Sequence, residues 1–122
     1  MPVPVLPSKA QAAWQRRERA IFLHFGVNTF TGKEWGEGKE DPSIFAPAAL
    51  DARQWVRAAK QAGFASVVLT AKHHDGFCLA DTKTSDYDAG SVLQRDLVKE
   101  IVEACRAEGL RVGFYHSVID WH

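Results

Sequence analysis

What this sequence has little of narrows its function before any motif is read. Two cysteines in 122 residues, Cys78 and Cys105, are too few and too scattered for a disulfide framework or a zinc knuckle, and they read as small, partly buried thiols. Neither sign of charge is in excess: fifteen lysines and arginines balance fifteen aspartates and glutamates, so neither nucleic acid nor a membrane surface is indicated as a partner. No apolar run approaches the roughly 20 residues of a membrane span. Met1–Pro7 shows no basic segment leading into an apolar one, so no signal peptide is visible and localisation stays open. A serine nucleophile elbow and a glycine-rich phosphate turn are also missing. What remains is the composition of an ordinary soluble domain, 46% hydrophobic and 25% charged, long enough to bury a core.

Taken in order, residues 1–19 form an N-terminal arm and a short helix. Three prolines keep Met1–Leu6 out of helix and central strand, and Ser8 is placed to cap an amphipathic helix to Arg19 with Trp14 on its inner face. Ala20–Phe25 is an apolar run of strand length, continuous enough to suggest burial on both faces. Residues 26–50 carry glycines and prolines without a period and read as a long loop, which is usually functional. Asp51 then starts a helix to about Gly63, with Trp55, Val56, Ala59 and Ala62 on one stripe. The strand Ala65–Thr70 runs into Lys72-His73-His74-Asp75-Gly76-Phe77, followed by a polar loop through Ser91. Asp96–Glu108 is a second helix, with Leu97, Ile101 and Cys105 facing one way and Gly109 ending it. Arg111–Tyr115 is the third strand.

The order is βαβαβ with long loops after strands and very short ones after helices. That pattern makes the three strands parallel. A doubly wound sheet would need the phosphate turn that Gly26-Val27-Asn28-Thr29 does not supply. The long loops fit a (β/α)8 barrel, which needs about 250 residues, so the expectation is an α/β chain holding the first three strands of an incomplete barrel. In a barrel the C-terminal strand ends share one rim. That rim would gather His24, Glu34-Trp35, His73-His74-Asp75, Tyr115-His116 and Asp120-Trp121. Aromatic rings among neutral donors suit a sugar, with hydroxyls for histidine, glutamate and tyrosine and a C–H face for tryptophan. Each residue also has a plainer reading: His24 as a satisfied core histidine, His73-His74 as a surface pair, Trp35 as a loop cover, the loop acids as a solvated edge, and Tyr115 as core. A metal site on His73 and His74 is disfavoured because neighbours on extended backbone point opposite ways.

His24-Phe25-Gly26, the stretch from Asn28 through Glu34-Trp35 to Gly38, Lys72-His73-His74-Asp75-Gly76-Phe77 and Val112-Gly113-Phe114-Tyr115-His116-Ser117 together resemble the α-L-fucosidases of glycoside hydrolase family 29. The resemblance runs from about Trp14 to His122, and the pairing of the Lys-His-His-Asp-Gly-Phe string with the upstream Glu-Trp is its most specific part. It implies a (β/α)8-like catalytic domain, of which residues 1–122 are the N-terminal part, that removes terminal α-L-fucose from glycoconjugates with retention through a covalent fucosyl-enzyme. It implies His24, His73 and His74 as ligands of fucose hydroxyls, Glu34 and Trp35 as pocket residues, and Tyr115, in preference to His116, as the pocket residue after the third strand. No cofactor and no metal is expected. The family's nucleophile and acid/base follow later strands, so no catalytic residue is expected within the chain, which alone should be inactive. Members of the family often work outside the cytoplasm. One departure is Ala80, where members carry tryptophan, and it bears on the packing of that loop. A fucose-binding module without chemistry and a metal-dependent hydrolase using His73 and His74 are the alternatives.

Overall fold

The computed structural model describes residues 4–122; part of the expected N-terminal arm, Met1–Val3, lies outside them. Ser8 caps the first helix, α1 (Lys9–Gln15), by a reciprocal capping box: its Oγ accepts from the Gln11 amide at 3.2 Å while its own amide donates to Gln11 Oε1 at 2.8 Å. Such a cap stabilises a helix end by about 1 kcal/mol. The helix stops four residues short of the expected Arg19, and Trp14 is not on an inner face. No residue of α1 is buried, and the indole is 69% exposed because nothing among the described residues packs on that helix.

Three strands follow: β1 (Ala20–Leu23), β2 (Ser66–Lys72) and β3 (Arg111–His116). They form one parallel sheet in the order β1-β2-β3, with Ser66 in register with both Ala20 and Arg111. β1 ends before His24 because the next residues bond to a side chain instead of a ladder. The buried Thr70 hydroxyl accepts from the Phe25 amide at 3.1 Å and donates to the Phe25 carbonyl at 2.9 Å. β2 runs two residues further than the sequence suggested and takes Lys72 into the sheet, with an irregularity against β3 between Thr70 and Lys72.

The connections are helical, α3 (Ala52–Gln61) from β1 to β2 and α5 (Leu97–Glu108) from β2 to β3. Asp51 and Asp96 cap them, accepting from the Gln54 amide at 3.0 Å and the Lys99 amide at 2.8 Å. Gly63 and Gly109 follow them with φ of 79° and 73°, the left-handed conformation that ends a helix cheaply at glycine. The two helices pack on one another and on one face of the sheet. There Val56 and Ala59 meet Val67, Leu69, Leu97, Ile101, Ala104 and Cys105 in the core. On α3 the buried stripe is Ala52, Val56 and Ala59; Ala62 is exposed and Trp55 half-buried, one position round from the expected face.

The other face of the sheet is bare. Burial in β1 alternates, with Phe22 52% exposed, so the expectation of burial on both faces of that strand fails among the described residues. The long first loop holds a single turn of helix, α2 (Asn28–Thr31), and a 3-10 turn at Pro42–Ile44. The second holds α4 (Ala89–Leu93), capped by Asp88 through the Ser91 amide at 2.7 Å. Five residues reading Ala-Gly-Ser-Val-Leu carry no helical period, and only the aspartate before them marks the start. Beneath these loops Phe45, Phe77 and Tyr87 extend the core, with ring centroids 4.8 and 5.1 Å apart.

Candidate active site

Parallel strands place their C-terminal ends side by side, and here those ends bring four expected residues together. His24 lies one residue past β1, His73 and His74 directly past β2, and Tyr115 near the end of β3. The His24 and His73 rings meet edge to face at 4.9 Å, His73 and His74 lie 4.4 Å apart, and Tyr115 stacks on His73 at 5.4 Å. Tyr115 and not His116 joins the cluster, because neighbours in a strand face opposite sides and His116 turns to solvent.

That alternation does not extend to the histidines, and the argument that they point apart is corrected. They sit in a turn closed by a bond from the Gly76 amide to the His73 carbonyl at 3.1 Å, so both rings fall on one side. Even so, among the described residues no group of three or more His, Cys, Asp or Glu side chains is placed to hold a metal ion.

Two indoles stand next to this cluster. Trp35 and Trp121 approach the His74 ring at 6.2 and 5.4 Å and each other at 6.4 Å, and they are 59% and 41% exposed. Glu34 is exposed, and among the described residues no hydrogen bond or ion pair ties it down. It shares the loop with Trp35 but not the ring contacts.

The rim is held by residues whose role only the structure reveals. Ser117, buried just past β3, places its Oγ 2.6 Å from His74 Nδ1 and donates to the Ile119 carbonyl at 2.7 Å. The Trp121 amide donates to the His74 carbonyl at 2.9 Å. Asp75 is buried and accepts from Asn28 Nδ2 and from the Phe77 amide, both at 2.8 Å, so it bolts the first loop to the second. The Lys72 ammonium, on a side chain only 10% exposed, donates to Asp120 at 2.6 Å and ties the second loop to the third. His122 closes the circle, stacked on Tyr87 at 4.2 Å with Nδ1 2.8 Å from the Gly38 carbonyl. Gly38 has a φ of 74°, and a β-carbon there would overlap the backbone of Trp121 and His122. Asn28 and Ser117 lie inside the motif stretches, but no role was legible for either until its partner was in view.

Burial, with His74 and His24 alongside, pushes the His73 pKa below the usual imidazole value, so the ring is held neutral. Its Nδ1 is buried without a hydrogen-bond partner. The hydrogen bond from Lys72 holds the Asp120 carboxyl below the usual carboxylate range. Burial raises the Tyr87 phenol, and the Glu40 carboxylate that accepts its O–H at 3.4 Å adds to the rise.

The family model described as alpha-L-fucosidase matches residues 39–122. The chain belongs to the α-L-fucosidase family. Alpha-L-fucosidase 1 of Arabidopsis thaliana is 50% identical over 99% of this chain and 25% of its own length. The crystal structure of a glycoside hydrolase 29 family member from an unknown rumen bacterium superposes with a TM-score of 0.90 at 42% identity, over 93% of this chain and 21% of that one. A Ruminococcus gnavus GH29 fucosidase in complex with fucose superposes with a TM-score of 0.89 at 41% identity, over 97% and 25%. The resemblance of the motifs to the N-terminal portion of family 29 fucosidases therefore holds. The chain spans about a quarter of the length of the curated fucosidases it matches.

Proposed function

We propose that this chain supplies part of the fucose pocket of a retaining exo-acting α-L-fucosidase, whose substrates are fucosylated oligosaccharides and glycoconjugates. The observation that carries the reading is the meeting of His24, His73, His74 and Tyr115 at three adjacent strand ends, with Trp35 and Trp121 beside them. Imidazoles and a phenol offer hydrogen bonds to ring hydroxyls, and exposed indoles offer an apolar surface to C–H groups and the sugar methyl. Glu34, on the same loop as Trp35, joins them when sugar is bound.

The sheet belongs to a (β/α)8-like barrel. Phe22, Val68, Gly113 and Tyr115 form the bare inner face, and an apolar groove of about 520 Å³ runs along the free edge of β1 against α3, where a further strand and helix would add. The nucleophile and the acid/base come from elsewhere in the protein. Asp75 and Asp120 are both occupied in bracing loops, as the bonds to Asn28, Phe77, Lys72 and His122 indicate, and retention needs two free carboxyls about 5–5.5 Å apart.

The test uses the full-length protein. Hydrolysis of a chromogenic α-L-fucoside should proceed with retention, and His74→Phe should weaken fucose binding about fivefold to tenfold, as loss of one neutral hydrogen bond implies. Unchanged fucose affinity in that variant would overturn the pocket assignment. Turnover by residues 1–122 alone would overturn the placement of the catalytic carboxyls.

A further inference from the structure

We propose that His73 and His74 are held in opposite neutral tautomers, His73 protonated on Nε2 and His74 on Nδ1, so that the pair presents one donor and one acceptor side by side to a vicinal diol. The inference deepens the pocket reading, on which the identity of the diol rests; the tautomers themselves stand independently of it.

The case for His74 is made by a single hydrogen. A serine hydroxyl has one proton and two lone pairs. Ser117 Oγ lies 2.7 Å from the Ile119 carbonyl oxygen, which can only accept, so the proton is there. What Oγ turns to His74 Nδ1 at 2.6 Å is then a lone pair, and Nδ1 must carry the hydrogen. The reverse assignment would leave the Ser117 and Ile119 oxygens facing one another at hydrogen-bond distance with no proton between them. The lone pair of neutral His74 is therefore on Nε2. That atom makes no hydrogen bond among the described residues and is not among the buried, unpartnered atoms, so it is open to a ligand.

His73 argues the other way. Its Nδ1 is buried and unpartnered. A stranded N–H there would forfeit the full hydration of a donor, and orphaned buried donors are rarer than under-used acceptors. The proton is accordingly on Nε2, which is not buried. Burial and the two neighbouring imidazoles keep the ring from taking a second proton near neutrality.

The consequence is chemical. Two histidines in one tautomer would offer two donors or two acceptors. In opposite tautomers, with ring centroids 4.4 Å apart, one hydroxyl can donate to His74 Nε2 while its neighbour accepts from His73 Nε2–H. Ser117 is then a positioning residue that touches no sugar and decides which end of His74 can accept.

The experiment is histidine side-chain nitrogen NMR on the full-length protein, labelled at histidine and held about two pH units above the ordinary imidazole pKa of ~6.5. Signals are assigned with His73→Asn and His74→Asn. The expected spectrum shows a protonated Nδ1 on His74 and a protonated Nε2 on His73. Ser117→Ala should release His74 toward the Nε2–H form, leave His73 unchanged, and weaken fucose about fivefold to tenfold, the worth of one hydrogen bond. Ser117→Thr, which keeps the hydroxyl, should restore the His74 signature. Finding His74 as Nε2–H in the unsubstituted protein, or unaltered in Ser117→Ala, overturns the proposal. Tautomers as assigned in a protein that binds no fucose would support it and overturn the pocket reading instead.

Discussion

Replacing Gly38 by alanine isolates the effect of close packing between loops, because the chain contains its own control. Gly38 and Gly109 have nearly the same backbone angle, φ of 74° and 73°, but different surroundings. At Gly109 a new β-carbon meets nothing within 4 Å; at Gly38 it overlaps the backbone of Trp121 and lies 2.6 Å from the His122 nitrogen. The left-handed conformation costs an alanine about 1–2 kcal/mol at either site. Gly38→Ala adds about 1–3 kcal/mol of overpacking, since backbone, unlike a side-chain tip, cannot swing aside. Guanidinium unfolding followed by tryptophan fluorescence should therefore place the Gly38→Ala midpoint below that of Gly109→Ala at similar slope. Fucose affinity should fall in the first variant alone, because the displaced segment carries Trp121 and the amide that holds His74. Equal destabilisation of the two variants would refute the view that the first and third loops interlock at Gly38.

Further outcomes follow from the same contacts. Asp120→Asn leaves the Lys72 ammonium facing a neutral oxygen. The expected loss of stability is about 1–3 kcal/mol, less than for a wholly buried pair, because water reaches Asp120, whose side chain is 46% exposed; an unchanged melting midpoint would argue against the tie. His73 has a lowered pKa in the folded protein, so the neutral ring persists, and its contribution to stability is intact, above the ordinary value of ~6.5, to be lost only as pH falls through the lower folded value. The His73 ring signals followed by NMR against pH should accordingly titrate below ~6.5, and a His73 titration at or above it would contradict a ring whose buried Nδ1 keeps it neutral.

Much of this arrangement could be read directly from the residues, for identifiable reasons. Asp51 and Asp96 sit before periodic apolar runs, and Gly63 and Gly109 after them, so both long helices and the parallel order of three strands were legible. So was the convergence of His24, His73-His74 and Tyr115, which needs only strand ends and topology. What escaped depends on contacts distant in sequence. The exposure of Trp14 reflects the lack of a packing partner for α1 among the described residues, which amphipathic spacing does not reveal. The rings of His73 and His74 lie together because a turn, not strand geometry, governs them. Asn28 and Ser117 look like ordinary loop residues until Asp75 and His74 are seen beside them. The bare face of β1 likewise follows from what covers it, not from its own composition.

The clasp between His122 and Gly38 joins residues 84 positions apart, and that separation bears on the order in which the molecule assembles. The strand pairings already span 46 and 45 residues, Ala20 to Ser66 and Ser66 to Arg111, and a contact of still larger separation closes only after the intervening chain is ordered. During synthesis the first loop must therefore wait, unanchored, until the residues after β3 have emerged. The Lys72–Asp120 and Trp121–His74 contacts wait for the same segment. The rim shared by His24, His73, His74 and Tyr115 is thus the last part of this region to acquire its ties during synthesis.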